Sequence, residues 1–200
     1  MTKTRLAMTI LCVAPLLAAL GAGAQAPAEG GAPAMPPELL AAISPGEHHK
    51  HLDHLAGSWD TSVKSWMVPG APPTESKGRS EARWILGGRY LESTYTGDMG
   101  GMPFEGHGLD GYDNLAKQYV STWVDSMGTG VMFMQGDCSE GGKVHTLHSE
   151  MLDPMGGPKV KTRNVTTMLG PDSYKMEMFM IDASGTEAKV MELVATRKKP

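Results

Sequence analysis

Ten short stretches in which apolar and polar residues alternate, opened by Gly57-Ser58-Trp59 and closed by Val194-Ala195-Thr196-Arg197, constrain this chain more than any other feature. Successive strand residues point to opposite faces, so a period of two predicts half-buried strands. They fall at 58–68, 75–86, 89–97, 104–111, 117–126, 129–136, 143–152, 159–169, 173–182 and 187–198. Turn-forming residues separate them, among them Gly87-Gly88, Asp113-Asn114, Gly141-Gly142 and Gly170-Pro171. Short connections join antiparallel neighbours, and no helical stretch intervenes to make a parallel crossover. The expected fold is therefore all-β, an up-and-down antiparallel β-barrel of about ten strands with a short N-terminal helix. Such a barrel is either filled by its own side chains or holds one small ligand.

Alternation also sorts faces. In the second strand Ser76, Gly78, Ser80, Ala82 and Trp84 oppose Glu75, Lys77, Arg79, Glu81 and Arg83, and the charged set must face water. In the ninth, Tyr174, Met176, Met178 and Met180 are the better candidates for the interior.

Ahead of the strands, Lys3 and Arg5 precede an apolar run from Leu6 to Leu20 and small residues ending at Ala24-Gln25-Ala26. This is the pattern of a secretory signal peptide, residues 1–26, cleaved near Ala26. No run reaches the roughly 20 apolar residues of a membrane helix, so the mature chain is expected to be periplasmic or secreted, without a transmembrane segment. Residues 27–37, rich in Pro, Ala and Gly, read as a flexible linker, and 38–200 as the barrel domain. Ser44-Pro45-Gly46-Glu47 has the form of a helix start, with Ser44 capping and Pro45 first, and predicts a helix to about Ala56. Its Leu52 and Leu55 share a face, as suits a plug at one end of a barrel.

Without Lys3 and Arg5 the formal charge moves from −4 to −6 and no basic face remains, which excludes nucleic acid as the partner. Cys138 is the one cysteine past the signal peptide, so no internal disulfide can form, and its place in Gly136-Asp137-Cys138-Ser139-Glu140-Gly141-Gly142 reads as an exposed turn. No motif calls for a cofactor, and the oligomeric state is open.

Gly57-Ser58-Trp59 together with Thr196-Arg197-Lys198 resembles the signature of lipocalin-like, or calycin, barrels, which implies that Arg197 lies across Trp59 at the closed end. A closer likeness runs from His49 to Lys198. His49-Lys50-His51-Leu52, Leu55-Ala56-Gly57-Ser58-Trp59, Gly88-Arg89-Tyr90-Leu91, Gly111-Tyr112-Asp113-Asn114 and Ser121-Thr122-Trp123-Val124-Asp125-Ser126-Met127-Gly128 resemble the domain-of-unknown-function 1579 family. The resemblance implies a lipocalin-like domain and brings no established activity.

The leading functional expectation is a small apolar or amphipathic ligand inside the barrel, lined by Trp84, Tyr119, Trp123, Phe133, Met176, Met178 and Met180 and anchored by Asp125 and His148. The first alternative is an enzyme in which His148 works with Glu150 or Asp125, aided by Arg163 or Asn164. Another is a metal site on His48, His51 and His54, which step by three. Haem ligation through His107, His145 or, first in order, His148 is a further one. A filled, purely structural barrel is the last. The connection from Gly97 to Phe104 reads as a plain turn in preference to a portal over the mouth.

Overall fold

The computed structural model describes residues 34–68, 70–152, 157 and 159–199. The expected signal peptide, its cleavage site and most of the linker lie outside the described residues, as do Pro69 and the Asp153-Pro154 turn. Two short helices lead in, α1 (Pro37–Ile43) and α2 (Glu47–Lys50), followed by a 3-10 turn at Asp53–Leu55. Ten strands follow: β1 (Gly57–Ser65), β2 (Thr74–Ile85), β3 (Tyr90–Met99), β4 (Met102–Asp113), β5 (Gln118–Asp125), β6 (Met132–Ser139), β7 (Val144–Met151), β8 (Val160–Gly170), β9 (Ser173–Ile181) and β10 (Glu187–Arg197). Each pairs antiparallel with its neighbours in sequence, and β1 pairs with β10 to close the barrel. Closure leaves no free sheet edge.

The all-β reading from the sequence therefore holds, with two local corrections. The helix expected up to Ala56 is broken into α2 and the 3-10 turn, and Ser44 and Pro45 lie in the link before it. Tertiary bonds hold both places: the Asn114 side chain donates to the carbonyls of Ala41, Ala42 and Ser44 and Arg89 Nε to that of Ile43, fixing the link before α2, while at the break after Lys50 the His51 ring meets the Tyr119 hydroxyl at 2.7 Å. The sixth strand starts three residues later than expected and runs to Ser139, so Cys138 is a half-buried strand residue and not part of an exposed turn. The Gly97–Phe104 connection is a tight hairpin turning at Gly100 and Gly101, whose positive φ angles of 64° and 90° suit the twist of paired strands.

Registers fix which face is inside. Trp59, Thr61 and Val63 of β1 are buried and pair with Ser80, Gly78 and Ser76 of β2, which puts the charged set of β2 outside as expected. Carried round the barrel, the same phase turns Leu91, Ser93, Tyr95 and Gly97 of β3 inward, then Phe104, Gly106, Gly108 and Asp110 of β4. It continues with Tyr119, Ser121, Trp123 and Asp125 of β5 and with Tyr174, Met176, Met178 and Met180 of β9.

The buried apolar residues form two separate clusters. One joins Trp59, Val63, Leu193 and Ala195 along the β1–β10 seam. The other joins Leu52, Leu91 and Tyr119 under the helical segment, which is the plug at the floor of the barrel. Trp59 anchors the first: its ring stacks edge-on against Tyr174 at 4.8 Å and its Nε1–H donates to the Leu55 carbonyl at 2.9 Å. At the opposite end the strand connections carry exposed Met67, Val68, Met99, Met102, Met127, Val131 and Leu152, an apolar rim.

Candidate functional site

The interior wall differs from side to side. On β2, β3 and β4 the inward positions are small, namely Ser76, Gly78, Ser80, Ser93, Gly97, Gly106 and Gly108. Two aromatic rings lie flat on this wall. A Cβ on Gly106 would sit 2.1 Å from the Trp123 ring, and one on Gly97 2.8 Å from the ring of Tyr95. The rings thus occupy the space that side chains would fill, and the centre of the barrel is left to other groups. Beside Trp123, on β6, the inward Met132 and Met134 are only partly buried, as are Met176, Met178 and Met180 on β9 across the barrel and Tyr95 and Trp123 themselves. The part of the interior between the two buried clusters, the lumen, is lined by side chains that are only partly buried.

Polar groups punctuate this lumen. Trp123 Nε1–H donates to Asp125 at 2.9 Å near the rim. Buried Ser149 and Thr162 share a 2.7 Å hydrogen bond, and Asn164 Nδ2 donates to the Met134 sulfur at 3.3 Å. Deeper, Asp110 faces inward opposite Ser121. Burial pushes that carboxyl up to about 6, against the opposing pull of Ser121, because a charge loses its hydration in the barrel. The Tyr174 hydroxyl is raised by burial first and then by the charges of Asp110 and Tyr95.

A second polar group sits at the floor. The Tyr119 hydroxyl lies 2.7 Å from His51 Nδ1 and donates to the His48 carbonyl at 3.3 Å. His145 Nε2 lies 3.2 Å from the Gly142 carbonyl and 3.6 Å from Cys138 Sγ. Burial lowers the His145 pKa and raises that of the Cys138 thiol, so both stay neutral at pH 7. The floor is a hydrogen-bonded closure that holds the plug.

Of the residues expected to line or anchor a ligand, Trp123, Asp125, Met176, Met178 and Met180 face the lumen. Trp84 and Tyr119 face inward at the floor, where Trp84 Nε1–H donates to Asp53 at 2.8 Å and Tyr119 is buried. Phe133 and His148 do not. Phe133 pairs with Thr122 on the outer face and is 52% exposed, and His148 pairs with Gln135 and Arg163 on that same face. Their strands carry apolar residues in both phases, so alternation left the face undetermined, and pairing with β5 set it.

The acid–base set is likewise not assembled. His148 and Glu150 are exposed outside while Asp125 is inside. Arg163 is also outside, paired with Glu187 and lying over Phe179 at 4.2 Å, whereas Asn164 is inside. His48 and His51 meet at the Tyr119 hydroxyl, with ring centroids 5.6 Å apart, but among the described residues no group of three His, Cys, Asp or Glu is placed to hold a metal. Of the proposed haem ligands, His107 is outside at 3.2 Å from Glu92, His148 is outside, and His145 is enclosed at the floor.

Asp110, Ser121, Tyr95 and Tyr174 were not singled out from the sequence as a site. A signal was present: Phe104, Gly106, Gly108 and Asp110 share one phase, and glycines at alternate positions mark a wall approached closely by other atoms.

The model of a family described as "Protein of unknown function (DUF1579)" matches residues 44–197, which span α2 and all ten strands. No curated protein matches the sequence. Among solved structures, Rv2717c from M. tuberculosis is similar in fold, with a TM-score of 0.53 and 14% identity, covering 78% of this chain and 100% of that one. A redesigned beta barrel aligns with a TM-score of 0.39 and 14% identity over 78% of this chain and 99% of its own.

Proposed function

The chain belongs to the DUF1579 family, whose description assigns no activity, and we propose that its barrel binds one small apolar or amphipathic molecule in the lumen. The observation that carries this reading is the glycine wall of β2 to β4, on which Tyr95 and Trp123 lie flat opposite partly buried methionines. Thioethers and aromatic faces are soft, polarizable surfaces that accept apolar guests of varied shape. Pockets of this composition use few polar groups to orient the guest, and Asp110, Asp125 and Asn164 take that role here. The apolar rim gives a low-cost passage from solvent to lumen. The same reading includes export: residues 1–26 act as a signal peptide and the barrel works in the periplasm or outside the cell.

Native mass spectrometry of the protein purified from its own host tests the proposal, together with titration of the delipidated protein with Nile red. Extra mass on the folded protein, or saturable one-to-one dye fluorescence lost on filling the lumen with Gly106→Leu, is the expected result. A bare mass combined with no dye signal overturns it.

A further inference from the structure

The lumen has a charge asymmetry that narrows the class of ligand. Among the described residues, Lys and Arg are on the outer face of the strands, as with Lys77, Arg79, Arg83, Arg163 and Lys189, in the helix, connections and C-terminal residues, as with Lys50, Arg89 and Lys117, or at the seam, where Arg197 is spent on Trp59, Asp172 and three backbone carbonyls. Among the described strand residues no Lys or Arg points into the interior between floor and rim, yet two carboxyls do, Asp110 and Asp125. Asp125 is engaged by the Trp123 indole N–H and by the Met127 backbone N–H. Asp110 faces inward opposite Ser121 with no cation beside it among the described residues, and as a residue it is only partly buried. Enclosing a carboxyl without a counter-charge is costly, and the cost is relieved when a cation arrives from elsewhere. Tyr174 feels the Asp110 charge, and Tyr95 lies further along the same inner wall; aromatic faces are the surfaces a cation prefers among apolar groups.

We propose that the lumen selects a cationic amphiphile, a protonated amine or quaternary ammonium on an apolar body, with its positive group at Asp110 and its body along the methionine wall. This inference rests on the lumen being a binding site at all. Among the described residues, the other titratable groups sharing the barrel interior are Asp125, Tyr95 and Tyr174, with Tyr112, Tyr119, His48, His49, His51, Cys138, His145 and Arg197 at the floor and seam.

The test is calorimetric titration with three probes of one chain length, decyltrimethylammonium, decanol and decyl sulfate, each below its micelle-forming concentration. The expected result is that wild type binds the ammonium at least tenfold more tightly than decanol, and decyl sulfate more weakly still. Asp110→Asn should bring the ammonium to the level of decanol while leaving decanol unchanged, and the outward control Glu81→Gln should change nothing. Wild-type protein carries its own check: ammonium affinity should fall as pH is lowered from 8 to 5 and Asp110 takes up a proton, while decanol affinity stays constant. Equal binding of all three probes, tighter binding of the sulfate, or an ammonium preference insensitive both to Asp110→Asn and to pH overturns the cation proposal and leaves the lumen site standing. If no probe binds, the lumen reading falls as well.

Discussion

The guanidinium of Arg197 lies over the indole of Trp59, 4.2 Å from the ring centroid, and its Nη1 donates to the Ala56 carbonyl at 2.8 Å. These two residues are also register partners in the pairing of β1 with β10, so one contact joins the first strand, the last strand and the segment that enters the floor. A cation over a desolvated ring contributes about 0.5–2 kcal/mol, and the indole adds its apolar burial.

Trp59→Ala removes a ring that is 2% exposed and the surface on which Arg197 and Tyr174 rest. A loss of about 3–5 kcal/mol is expected, as for other large-to-small core changes. Urea denaturation measures it, and an unchanged midpoint would contradict the role given to this residue.

Asp110→Asn is expected to stabilise the protein at neutral pH. The folded carboxyl titrates at about 6 against an ordinary 3.8, so between those values the native state holds a proton that the unfolded chain has released, and stability falls as pH rises through the window. The neutral amide escapes this penalty. Its advantage should be small at pH 4 and grow to about 1–3 kcal/mol at pH 8, read from denaturation at a series of pH values. A flat difference across that range would place the carboxyl in water.

Gly136→Ala and Gly106→Ala should differ although both new Cβ atoms meet a neighbour at 2.1 Å. At Gly136 the neighbour is the Thr146 carbonyl oxygen, part of the paired strand, which cannot move without breaking the β6–β7 ladder. At Gly106 it is the edge of the Trp123 ring, which can swing into the lumen. The first substitution should cost about 2–3 kcal/mol and the second less, while the second shifts tryptophan fluorescence. Equal costs would mean that Trp123 is packed too tightly to yield.

Tyr119→Phe deletes the hydroxyl that joins β5 to His51 and to the His48 carbonyl. About 1–2 kcal/mol should be lost, with faster amide exchange confined to the residues around α2. His148→Ala and Phe133→Ala, by contrast, lie on the outer face and should stay within about 0.5 kcal/mol of wild type and leave probe binding intact.

Much of this architecture is written in local chemistry. Glycine, proline and asparagine punctuate the chain at strand ends, and strand β2 declares its own faces, because five charged side chains on one phase can only be hydrated outside. Strand β9 is legible for the same kind of reason, its tyrosine and methionines sharing the phase opposite Lys175 and Glu177. The helical lead-in is harder to read, since its course depends on bonds from Asn114, Arg89 and Tyr119, which are far away in sequence.

Amino-acid order alone determined the period, the strand count and the antiparallel pairing of sequence neighbours, because these follow from side-chain alternation and turn preference within a few residues, whereas closure rests on β1 meeting β10, far away in sequence. Tertiary structure decided the phase of β6 and β7 and the inward turn of Asp110. A strand with apolar residues on both faces gains nearly as much from either orientation, and a shift of one position exchanges them. That near balance is broken only by register with neighbouring strands, which turned Phe133 and His148 to solvent and enclosed Asp110 beside Ser121.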